Sequence, residues 1–123
     1  MAAHPLPVLA PAAIDASRDV LWEHSRNNLG IARLLVHEGR PEALVATACW
    51  SAVENAFRAA LDHAGAPYDG DLQRAAAALS VPEGLLLAVG SSRGERRLAA
   101  AEKAVGWVAG YLRAEAPERS WGF

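Results

Sequence analysis

Asn27 to Gly65 reads NNLGIARLLVHEGRPEALVATACWSAVENAFRAALDHAG, two helical phrases broken by Gly39-Arg40-Pro41. Gly39 supplies a left-handed stop for the first phrase, and Pro41 suits the first turn of the second. So short a connection forces the two helices into an antiparallel hairpin. The first helix is expected from Asp15 or Ser17, either a good N-cap, to Glu38. The second is expected to reach about His63 and stop at Gly65. Placed at about 100° per residue, Ser51, Glu54, Asn55, Arg58 and Asp62 share one narrow polar strip of the second helix. The rest of its circumference, from Val45 to Leu61, is apolar and rich in alanine, which predicts a central helix covered on two sides.

Downstream, Asp69 or Asp71 is the expected cap of a shorter helix ending at Leu79, and Pro82 opens a further short turn ending near Gly90. Ser91 or Ser92 is expected to cap a last helix running to about Ala116, before Pro117. Its Leu98, Ala101, Val105, Val108 and Leu112 follow heptad spacing, again a wider stripe than one core requires. Two overwide helices predict a homodimer through the second or the last helix. The fold class is therefore all-α, an antiparallel bundle of four main helices over residues 14–118. Residues 1–13, apolar but lacking Lys and Arg and cut by Pro5, Pro7 and Pro11, read as a flexible N-terminal arm and not as a signal peptide. Residues 119–123 form an aromatic tail whose Trp121 and Phe123 either dock back on the bundle or insert into a partner.

A chain of 123 residues suits one domain. With 52% hydrophobic and 21% charged residues it has the composition of a packed fold. A formal net charge of −2 gives no global positive field to recruit nucleic acid or an anionic membrane. Its single cysteine, Cys49, excludes an internal disulfide and any multi-cysteine zinc site. No run approaches the ~18 apolar residues of a membrane span, so no membrane association is expected and the cytoplasm is the expected location.

The hairpin resembles the HEPN superfamily. The residues that carry the likeness are Ala32-Arg33-Leu34-Leu35 at the end of the first helix and Ala52-Val53-Glu54-Asn55-Ala56-Phe57-Arg58-Ala59 in the second. Asp71 to Leu79, DLQRAAAAL, sits where that family has a short third helix, although Gly70 stands where the family commonly carries a histidine. The resemblance implies one of two branches. Ribonucleases, often toxins, carry an R-x4-6-H motif near the start of the last helix, paired across a dimer. Non-catalytic members lack it, and frequently accompany a nucleotidyltransferase or bind nucleotides.

The start of the last helix holds Arg93, Arg96 and Arg97 but no histidine, His63 being the last in the chain. Cleavage of that kind calls for a group titrating near neutral pH, which points to the non-catalytic branch. Three arginines in five residues, with Ser92 and the helix N-terminus, are instead the expected anion or nucleotide site. The alternative is a ribonuclease using Arg58 and His63, a literal R-x4-H, and RNA is a partner only in that case. Five positions along a helix leave those side chains about 140° apart. Arg58 is also i,i+4 from Glu54 and Asp62, a ladder of exposed ion pairs. His24 and Asn28 fall within the apolar arc of the first helix and predict either a buried hydrogen bond or a small polar cleft. The four histidines show no metal-ligand spacing, Cys49 lies on an apolar arc where a thiol is inert, and no cofactor is expected. A purely structural assembly subunit remains as a third possibility.

Overall fold

The computed structural model describes residues 10–117, with side chains from Arg18 onward. These form five helices: α1 (Ala10–His37), α2 (Glu42–Ala64), α3 (Leu72–Leu79), α4 (Leu85–Ser91) and α5 (Gly94–Glu115). The described residues contain no strand. Helix α1 begins at Ala10 and not at Asp15 or Ser17, so residues 10–13, expected in the arm, are helical. Pro11 is compatible with this, because the first turn of a helix has no intrahelical partner for its N–H groups. The rest of the expected arm, residues 1–9, and the tail with Trp121 and Phe123 lie outside the described residues.

The α1–α2 hairpin is antiparallel, as two contacts along its length establish. The Ser25 hydroxyl donates to the Ala52 carbonyl at 2.7 Å, and Arg18 meets His63 one end further along. Helix α5 runs parallel to α2. Glu42 and Gly94 meet at the starts of the two helices, and His63 and Tyr111 meet near their ends. Helix α2 ends in a left-handed turn at Gly65, φ 74°, where Gly65 N–H donates to Asp62 and Ala66 N–H to Leu61. A β-carbon would strain that backbone, which is why the chain places glycine there. Asp71 caps α3 through Arg74 N–H at 3.1 Å, and Ser80 closes it in a left-handed conformation.

The core explains the wide apolar arc of α2. Val45, Ala48, Cys49, Ala52, Val53, Ala56, Phe57, Ala59, Ala60 and Leu61 are all buried, because α1 lies on one side of α2 and α5 on another, with α3 against it. Small side chains at these positions let the neighbouring axes come close. On α5, Ala101, Val105, Val108 and Leu112 are likewise buried within the chain. The extra apolar surface taken as a sign of a dimer through α2 or α5 is thus consumed internally. The apolar surface left over lies elsewhere, chiefly on the outer side of α1, where Val20, Ile31 and Leu34 are 51%, 49% and 61% exposed.

Candidate functional site

The expected anion site at the start of α5 is occupied by the protein itself. Glu42, in the first turn of α2, accepts the Gly94 backbone N–H through Oε1 at 2.9 Å. Its Oε2 lies 3.1 Å from Nη1 of Arg97, whose Nε donates to the Val89 carbonyl at 3.0 Å. Gly94 takes φ 54° at this point, a conformation glycine reaches without penalty and which accompanies the N–H directed at α2. Arg97 is therefore turned inward and charge-matched, while Arg93 and Arg96 are exposed. The three arginines do not form one cradle. Ser92 does not cap α5 either: α4 continues through Ser91, Ser92 follows it, and Arg93 stands at the N-cap. A carboxylate from a distant helix supplies what a serine hydroxyl was expected to supply.

Arg58 and His63 take separate partners. The Arg58 guanidinium lies 5.8 Å from the Tyr68 ring centroid, and Tyr68 in turn donates its hydroxyl to Glu54 Oε2 at 2.7 Å. The ion-pair ladder expected along Glu54, Arg58 and Asp62 does not form, since Tyr68 takes the Glu54 carboxylate and draws Arg58 over its ring. His63 accepts a hydrogen bond at Nδ1 from Nη1 of Arg18 at 2.8 Å. A guanidinium only donates, so the Nδ1 lone pair is engaged and the ring proton sits on Nε2. Tyr111 meets the His63 ring edge-on at 6.4 Å, and Trp107 stacks on Tyr111 at 5.9 Å. Burial, and then Glu115, raise the Tyr111 hydroxyl above its ordinary range.

The polar cleft expected at His24 and Asn28 is absent. His24 is exposed, and the Asn28 amide donates to the His24 carbonyl one turn back. The buried row of α1 is Arg18, Trp22, Ser25, Leu29 and Ala32, and His24 lies about 120° from its centre. Ser25 is the polar group this helix face carries into the core, and its hydroxyl is satisfied by Ala52. Sequence reasoning also passed over Arg18, only 6% exposed. The signal was available: Arg18 precedes Trp22, Ser25 and Leu29 by 3–4 spacing, so it shares their face.

Cys49 is fully buried, and burial pushes its thiol up to about 11, reinforced by Glu42 and Glu102 and only partly opposed by Arg97. It is not placed for nucleophilic chemistry. The described residues contain no group of three or more His, Cys, Asp or Glu side chains able to hold a metal ion. They also contain no helix long and apolar enough to cross a membrane. A groove of about 460 Å³ opens between α2 and the segment leading into α3, walled by Trp50 and Tyr68. A smaller cleft of about 290 Å³ lies on the other side of Tyr68, beside Arg58 and Asp62. Compared with known proteins, the chain matches no family model, no curated protein and no solved structure.

Proposed function

We propose that this chain is a non-catalytic helical interaction module whose contact surface is the outer face of α1. The observation that carries the proposal is the row Val20, Ile31 and Leu34, exposed and joined by His24 and Asn27 in alternating spacings of four and three. That spacing is the seam a second helix packs into. The occupant is α1 of a second copy of the chain, laid antiparallel. Glu23 flanks the row near one end and His37 on the same side near the other, so an antiparallel copy brings acid to base at both ends. Asn27 in the middle of the row fixes the register, as a polar residue in such a seam does.

In this proposal α1, α2, α3 and α5 are the four main helices of a HEPN-like antiparallel bundle, and α4 is an added turn. The resemblance then supplies a separate nucleotidyltransferase as the protein the dimer serves in the cytoplasm. Nucleotide binding at Arg93, Arg96, Arg97 and Ser92 is the weaker part of this proposal, because Glu42 engages Arg97 and Gly94. The ribonuclease alternative needs Arg58 and His63 to act on one substrate, and nothing in their separate pairings with Tyr68 and Arg18 favours it.

Light scattering during gel filtration tests the proposal. The chain should elute with twice its 13.0 kDa mass at micromolar concentration. Ile31→Lys with Leu34→Glu should return it to a monomer with unchanged helix content, since both side chains are exposed. A wild-type monomer at about 100 μM, or a dimer indifferent to the double substitution, overturns it.

A further inference from the structure

The groove on α2 combines aromatic walls with one carboxylate. Thr47, Trp50, Ser51 and Glu54 come from successive turns of α2, and Tyr68 and Leu72 close the other side. Trp50 is half-buried and held from behind by α4, where a β-carbon on Gly90 would sit 3.5 Å from Trp50 Cζ2. Tyr68 is fixed by its 2.7 Å hydrogen bond to Glu54, which orients ring and carboxylate together. Thr47 donates its hydroxyl proton to the Ala43 carbonyl at 2.9 Å, so toward the groove it offers only acceptor lone pairs. Among the described residues no Lys or Arg lies within ion-pair distance of Glu54.

We infer that this groove binds an alkylammonium group, seated against the Trp50 face with Glu54 as its counter-charge. An anion is disfavoured by Glu54, and a purely apolar ligand would desolvate the carboxylate without compensation. An ammonium answers both elements at once, through the ring quadrupole and the charge. The neighbouring cleft already displays this chemistry, since Arg58 sits 5.8 Å from the Tyr68 ring centroid there and lines that cleft and not the groove. The ammonium can belong to a free amine or to a lysine side chain of a peptide. The groove shares no residue with the α1 row, so the inference is independent of the dimer.

Titration of the full chain followed by the Trp50 indole N–H signal, assigned with Trp50→Phe, tests it. The probes are butylammonium, tetramethylammonium and Nα-acetyl-lysine amide, with neopentyl alcohol as the neutral control. A saturable shift with a dissociation constant on the order of millimolar is expected for the cations only. Saturation by the lysine amide alone assigns the ligand to a peptide, and equal saturation by butylammonium assigns it to a free amine. Glu54→Gln, which retains an acceptor for Tyr68, should weaken binding about tenfold. Ser51→Lys, which places a fixed cation at the groove wall, should abolish it and serves if Glu54→Gln does not fold. No saturation by any cation, equal binding by the alcohol, or wild-type affinity in the folded variants overturns the inference.

Discussion

Glu42 and Gly94, 52 residues apart in the chain, meet at 2.9 Å and join the first turn of α2 to the first turn of α5. Because α5 runs parallel to α2, the two N-termini lie side by side, and one carboxylate faces both helix dipoles. The same carboxylate neutralises Arg97, which would otherwise bring an uncompensated charge into a site only 13% exposed. An arginine-rich helix start, which in isolation attracts an external anion, is here answered from within.

Removing that carboxylate should therefore do two things. Glu42→Ala should lower the unfolding free energy by roughly 2 kcal/mol, from a lost cap and an unpaired arginine. It should also create the anion site that the wild type lacks. Millimolar phosphate should raise the melting temperature of Glu42→Ala and leave the wild type unmoved. Equal stabilisation of both proteins would show that Glu42 does not occupy the site.

The boundaries of α2 and the cap of α3 were legible because they rest on local chemistry: Pro41 before the first turn of α2, Gly65 after its last, Asp71 at the start of α3. The start of α5 was not, since its cap is a tertiary contact and nothing near Ser92 in sequence announces Glu42. The wide arcs of α2 and α5 were read correctly as buried, but their covering was assigned to a second molecule when it comes from α1, α4 and each other. Periodicity reports that a face is covered and is silent about which element covers it. The candidate site suffered most. His63 pairs with Arg18, and Tyr68 with Glu54, through spacings that only the folded hairpin and loop create.

Ser80 closes α3 with φ 59°, a left-handed conformation unusual for a residue bearing a β-carbon, and its N–H still donates to the Ala77 carbonyl. Glycine adopts this backbone freely and is the usual residue at such a stop. Ser80→Gly should therefore stabilise the protein by about 0.5–1 kcal/mol in urea unfolding, despite the added flexibility of the unfolded chain. A destabilisation of that size would mean that the Ser80 side chain makes a contact worth more than the backbone strain.

Cys49 reports on opening of the core. Its buried thiol, raised to about 11, is both inaccessible and protonated at neutral pH. A thiol reagent at pH 8 should modify the native protein at a rate set by transient unfolding. Adding urea below the transition should accelerate it in step with the falling stability. Immediate stoichiometric modification of the folded chain would contradict the packing of α2 against α5.

Tyr68 gives the pH dependence a definite sign. Its hydroxyl is held up to about 12 from an ordinary 10.0, first by burial, then by the hydrogen bond to Glu54 and that carboxylate's charge, with Arg58 opposing. The folded chain thus retains the phenol proton more firmly than the unfolded chain does. The associated stabilisation is complete below pH 10 and fades as pH rises toward about 12. Phenolate absorbance measures this once Tyr111→Phe has removed the other tyrosine. The midpoint should lie above 10.0 in that background and fall when Glu54→Gln is added, because a neutral amide no longer repels the phenolate. A midpoint unchanged by Glu54→Gln would leave burial as the whole cause, and would remove the contact that holds the carboxylate beside Trp50.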